Sequence, residues 1–199
     1  MDRFDTPTLP PLFRSHSLAD GDPIATAMRL AAEGEDPGTL VWARRRDRLD
    51  MAVVLGPDRP LSEARRVTAV ALVALADAME ALGPPNLDIR YDGSDRVLVN
   101  GAVVGGVRLA ASPGTAEDEV PGWAVVGAVV DVLGDPDDPD PGRHPDRTAL
   151  REEGFGDVEA PDLLESFARH FLSWMDIWED AGFEPVRRVW QRRLDRRDV

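Results

Sequence analysis

The stretch Asp95–Ala111, DRVLVNGAVVGGVRLAA, leaves its part of the chain one way to run. Val97, Leu98 and Val99 form an apolar run of strand formers. Asn100-Gly101 then supplies two residues that accept the positive φ of a two-residue hairpin turn, and Ala102–Ala110 returns as the second strand. The turn sets a register with Val99 opposite Ala102, Leu98 opposite Val103 and Val97 opposite Val104. Strict alternation from the turn puts Val103, Gly105, Val107 and Leu109 on one face, and Val104, Gly106 and Arg108 on the other. Paired glycines inside the return strand mark a bulge, or a place where another molecule or element lies against bare backbone.

The rest of the chain supplies helices around this hairpin. Residues 1–22 are proline-rich and aperiodic, and read as a tail over the surface. Pro23, after Asp20 or Asp22 as cap, opens a helix that Gly34 ends. Gly38–Ala43 and Met51–Leu55 read as short buried strands joined by the charged loop Arg44–Asp50. Leu61–Leu82 carries apolar residues at helical spacing and stops at Gly83-Pro84-Pro85. Leu87–Tyr91 leads into the hairpin, and Trp123–Leu133 is a long apolar strand. Asp162–Ala181 is amphipathic, with Leu163, Phe167, Phe171, Trp174 and Trp178 in one stripe. Phe183–Leu194 adds a shorter helix. Strands grouped in the middle with helices around them give an α+β fold. We expect a mixed, mainly antiparallel sheet flanked by helices, in one domain over residues 23–199, closed by a C-terminal helical pair over residues 160–196.

Composition removes several classes of chemistry. The chain has no cysteine, which excludes disulfides, thiolate metal sites and a cysteine nucleophile. It has no lysine either, so every fixed cation is an arginine, a planar fork that stays charged at any working pH. The net charge of −14 repels a phosphate backbone, so no nucleic-acid partner is expected. No apolar run reaches the roughly 20 residues that span a bilayer, and the N-terminus lacks a basic-then-apolar leader. The expectations are therefore no membrane association and a cytoplasmic location. His16, His144 and His170 are isolated. The acids Asp135, Asp137, Asp138 and Asp140 lack the glycine-centred spacing of a calcium loop, so no metal site is expected.

The cluster Arg44, Arg45, Arg46 and Arg48 suits a phosphate or carboxylate, because guanidinium forks make charge-assisted hydrogen bonds to both. A solvated loop beside an acidic surface accounts for the same residues. Gly105-Gly106 fits a ligand lying on the strand and fits close packing of a neighbouring element equally well. Trp174 and Trp178 stand one helical turn apart, which is the spacing of core packing.

Several of these segments resemble the catalytic domain of the biotin and lipoate protein ligases, and most closely a bacterial ligase-like subgroup of it. The hairpin is similar to that family's V-N-G-K-K-x-x-G element, with Gly106 at the glycine and Val103 at the position of its lysine. Arg44, Arg45, Arg46 and Arg48 stand where its G-R-G-R-R-G loop lies, with the glycines absent. Ile89–Arg96 occupies the place of its K-W-P-N-D element and keeps Arg90, Tyr91 and Asp92. Trp123–Leu133 is similar to its V-V-I-G-I-G-I-N-V strand, with Gly127 at a glycine and Asp131 at the asparagine. Thr148–Leu194 resembles its closing segment, with Gly182 and Trp190. The resemblance implies a ligand site built from Arg44, Arg46, Arg48, Arg90, Asp92, Leu98, Val103, Gly105, Gly106, Val107 and Asp131. It implies an acyl or biotin-type small molecule as ligand, ATP or an acyl adenylate as co-substrate, and a lipoyl or biotinyl carrier domain as partner.

Two readings follow. In one, the chain is a divergent relative that lacks the catalytic lysine and binds an acyl group or a carrier domain. In the other, it is an active ATP-dependent lipoate, octanoate or biotin ligase in which an arginine replaces the lysine. The fixed cation stabilises the charge that develops on carboxylate and phosphate, and losing one such group costs about 10²–10³ in rate. Arg44, Arg46 and Arg90 are the expected substitutes, because the alternation turns Arg108 away from Val103. A thioester-using octanoyl transferase fits less well, since both its cysteine and its lysine would be missing.

Overall fold

A computed structural model describes residues 7–134 and 146–194. Among these residues, seven strands form one sheet in the order β1-β2-β3-β7-β6-β5-β4. They are β1 (Arg14–Leu18), β2 (Thr39–Ala43), β3 (Arg48–Leu55), β4 (Ile89–Asp92), β5 (Arg96–Val99), β6 (Ala102–Ala111) and β7 (Ala124–Asp131). The β1–β2 pair is parallel, and the other neighbouring pairs are antiparallel. The helices are α1 (Pro23–Ala32), the single turn α2 (Leu61–Ala64), α3 (Val67–Leu82), α4 (Ala160–Ala181) and α5 (Glu184–Arg193). The fold is α+β, as the grouping of strands and helices requires.

The two faces of the sheet are covered unequally. On one side α1 packs on β2, β3 and β7, burying Ile24, Ala27 and Ala31 against Val41, Ala52, Val54 and Val125. The other side carries the main core. There α3 lies against β6, β7 and β5, with α4 packed on α3. Helix α3 is apolar over most of its surface, and Val67, Val70, Leu72, Val73, Leu75 and Met79 are all buried. Such a helix must be enclosed on most sides, and the sheet, α4 and α5 enclose this one. Asp77, on the edge of α3, accepts hydrogen bonds from Trp174 Nε1 (2.7 Å) and Arg193 Nη1 (3.1 Å), fastening α4 and α5 to it. Arg193 also reaches Glu80 at 2.8 Å. The Tyr91 hydroxyl beneath it donates to the Leu72 carbonyl, and burial pushes that phenol up to about 12.

The structure departs from the sequence expectation in four places. Arg14–Leu18, inside the stretch expected to be a tail, is the edge strand β1, tied down by Trp42 Nε1 donating to Ser15 Oγ at 3.0 Å. β3 begins at Arg48, not Met51, because Leu49 reaches the main core while Arg48 and Asp50 alternate away from it. The helix expected over Leu61–Leu82 is broken at Arg65-Arg66 into α2 and α3. At the C-terminus, the expected end of the helical pair at 196 lies outside the described residues, as do His144 and the acidic segment 135–140.

The fourth departure is in the hairpin. Asn100 (φ 51°) and Gly101 (φ 93°) make the expected turn, and Val99↔Ala102 and Leu98↔Val103 pair as expected. Val97 then pairs with Gly105, leaving Val104 as the extra residue of a bulge. A bulge reverses the alternation beyond it. Gly105 and Val107 therefore share the helix-covered face, with Val107 buried in the main core, while Gly106 and Arg108 share the face of Val103.

Candidate functional site

The α1 side of the sheet, from β3 across to β4, collects most of the chemistry-bearing residues. Opposite residues in antiparallel strands share a face, so the registers define rows across it. One row runs Arg90–Leu98–Val103. The next runs Asp92–Arg96–Gly106–Val129–Asp50. A third runs Arg108–Gly127–Ala52, with Ile24 of α1 lying so close over Gly127 that a Cβ there would come within 2.1 Å of it. Arg48 and Asp131 are partners at the end of β3 and β7 nearest the charged loop.

Val103 sits where β6 gains a new neighbour. Its N–H donates to the Asp146 carbonyl (2.8 Å), its carbonyl accepts from Thr148 N (3.0 Å), and the segment between them makes a parallel bridge through Arg147. Arg147 Nη2 donates to Asp131 Oδ2 at 3.1 Å. Arg48 approaches the same carboxylate only to 3.8 Å, and its Nε is buried without a hydrogen-bond partner. Arg147 thus stands beside Val103, a cation that no sequence pattern singles out. It follows an acidic, proline-rich segment and is carried to β6 by backbone pairing alone. The nearest sequence signal is the Thr148 start of the closing segment.

The expected cations are engaged by other groups or lie off this row. Arg90 shares the row of Val103, yet its Nε donates to Asp88 at 2.6 Å. Arg46 is drawn toward the helical layer: its side chain reaches Glu159 at 3.4 Å, and its carbonyl accepts from Ala160 N at the start of α4. Arg44 is exposed, with its N–H on the Leu18 carbonyl. Arg45 chelates Asp47 and holds that carboxyl below the usual range. Asp92 pairs with Arg96. Arg108, expected to point away, faces the same side as Val103 and lies 3.7 Å from Asp22, whose side chain caps α1 through the N–H groups of Ile24 and Ala25. Burial raises the carboxyl of Asp50, and the nearby Asp22 adds to this against the pull of Arg48, Arg45 and Arg108.

The two glycines of β6 are explained by their neighbours. A Cβ on Gly105 would sit 2.0 Å from the Val129 carbonyl oxygen, and one on Gly106 2.3 Å from that of Asp95. Both distances are shorter than any tolerated contact, and both partners are backbone. Neighbouring strands therefore approach these glycines, and Gly105 and Val107 line the helical core instead of the open face. Of the residues implied for the site, the fold brings Arg90, Asp92, Leu98, Val103 and Gly106 onto one face. Arg48 and Asp131 stand at its end, and Arg46 lies off it.

A family model described as "Biotin/lipoate A/B protein ligase family" matches residues 9–192. The chain belongs to that family. Among relatives, a biotin–[acetyl-CoA-carboxylase] ligase of Paracoccus denitrificans is 30% identical over 149 residues, covering 72% of this chain. The chain spans only 59% of that ligase's length. A biotin protein ligase-like protein of unknown function from Silicibacter sp. TM1040 superposes with a TM-score of 0.86 at 37% identity, over 95% of this chain and 81% of that one. The biotin protein ligase of Aquifex aeolicus in complex with biotin and ATP has a TM-score of 0.71 at 16% identity, over 91% of this chain and 78% of that one. At that identity the likeness concerns the fold. Among the described residues no group of three or more acids or histidines could hold a metal ion, and no helix is long and apolar enough to cross a membrane.

Proposed function

We propose that this member of the ligase family binds a biotin- or lipoate-type carboxylic acid, or a carrier domain bearing one, on the Val103 face without adenylating it. The observation that carries this reading is the charge balance of that face. On and beside it, Arg45, Arg90, Arg96, Arg108 and Arg147 each lie against a carboxylate of the chain itself, and Arg48 shares Asp131 with Arg147. Adenylation gathers a carboxylate and a polyphosphate in one place, and both need cations whose charge is not already compensated. A single acid, or an uncharged acyl chain, asks much less of the site. Val103, at the position that the resemblance gives to lysine, fits the same reading.

The second reading, an active ligase, is favoured by one observation. Arg147 is held beside Val103 by the backbone and could exchange Asp131 for a substrate oxyanion. Calorimetric titration separates the two. The binding reading expects saturable uptake of biotin, lipoate or octanoate without ATP, and no uptake of ATP alone. Tight ATP binding that weakens about tenfold or more in Arg147→Ala would favour the ligase, since a charge-assisted contact contributes on that order.

A further inference from the structure

At the opposite end of β3 from Arg48, α4 stands off the sheet and leaves a cavity of about 290 Å³. Its walls are apolar, built from Phe13, Val53, Val67, Phe171, Met175 and Trp178. The volume is near the lower end of the range of small-molecule sites.

The mouth is not apolar. Arg59 lies across it, with its guanidinium 4.8 Å from the centre of the Trp178 ring. That cation is already used twice, by Glu179 at 2.9 and 3.0 Å and by Asp58 at 3.0 Å. Asp176, also on the rim, makes no ion pair among the described residues. The rim therefore carries three carboxylates against one guanidinium, and one carboxylate is unengaged. Such a mouth repels a carboxylate ligand and attracts a cation, while the interior takes a hydrocarbon or aromatic body.

We propose that this cavity is a second small-molecule site, for an apolar amphiphile with an ammonium head that sits against Asp176. Its charge preference is opposite to that of the Val103 face. It lies at the far end of β3 from Arg48.

The test uses the full chain and three probes of one length: n-octylammonium, n-octanol and octanoate. Binding is followed by tryptophan fluorescence, since Trp178 lines the cavity, and by calorimetry. Octylammonium should bind saturably and about tenfold more tightly than octanoate, the size expected when an exposed carboxylate a few ångströms away attracts one head group and repels the other. Octanol should fall between them. Asp176→Asn should remove most of the octylammonium advantage and leave octanol unchanged. Met175→Trp or Ala64→Leu, each filling the cavity from a different wall, should abolish the binding of octylammonium and octanol; either variant suffices if the other does not fold. Octanoate binding as tightly as octylammonium, binding indifferent to the filling variants, or no saturable binding of octylammonium to the folded protein would overturn the proposal.

Discussion

Gly105→Ala separates a glycine that serves the sheet from one that serves a ligand. The added methyl would have to sit 2.0 Å from the Val129 carbonyl oxygen and 2.8 Å from the Val130 Cα. That is well inside ordinary van der Waals contact, so β6 and β7 must part by about 1 Å at the end of their ladder, where Gly105 pairs with Val130. Two backbone hydrogen bonds weakened at roughly 1 kcal/mol each, with about 1–2 kcal/mol for repacking Val104 and Val107, give a cost of about 3–4 kcal/mol. In a chain of this size that lowers Tm by roughly 6–16 °C. Thermal unfolding followed by circular dichroism measures it. Gly122→Ala, where the nearest atom is Ser112 Oγ at 3.9 Å, is the matched control and should melt like the wild type. A Gly105→Ala protein that melts within about 2 °C of wild type but no longer binds an acyl ligand would refute the packing account.

Three further outcomes follow from the same geometry. Burial raises the Asp50 carboxyl in the folded chain, so the folded state binds that proton more tightly than the unfolded one. The stabilisation is complete below the unfolded pKa and is lost as pH rises through the raised folded value. Asp50→Asn should therefore raise Tm at about pH 7, with the gain gone near pH 3; a melting-temperature series across that range checks it. Asp77→Ala leaves Trp174 Nε1 and Arg193 without their shared acceptor, and urea unfolding should show a loss of about 2–3 kcal/mol. Val103→Lys places a cation on a half-buried strand position near the Asp131 carboxylate, to which Arg147 donates. It should fold with Tm within about 3 °C of wild type, whereas a sealed apolar site would make it fail to fold.

The hairpin, α3 and α4 were legible because each depends on a local pattern: the Asn-Gly turn, apolar residues at helical spacing, and a single aromatic stripe. β1 was not, because Ser15, His16 and Ser17 form an exposed polar edge with no apolar alternation. The bulge at Val104 was not legible either. It arises from two residues of one strand facing one of another, and strand pairing is not written in either strand alone. That single residue decided the faces of Gly105, Val107 and Arg108. The arginines of the Arg44–Asp50 loop were visible as cations, but their partners were not. Glu159 and Asp131 are distant in sequence and meet the loop only when α4 and β7 are in place. Arg147 belongs to the same class, since its position beside Val103 depends on a backbone bridge.

The most direct measurement of the central claim is ATP–pyrophosphate exchange by the full chain with biotin, lipoate and octanoate in turn. A face whose arginines lie against the chain's own carboxylates, with valine at the lysine position, should give no exchange above background with any of the three. Robust exchange with one of them, lost in Arg147→Ala, would contradict the claim and identify an active ligase that works through arginine.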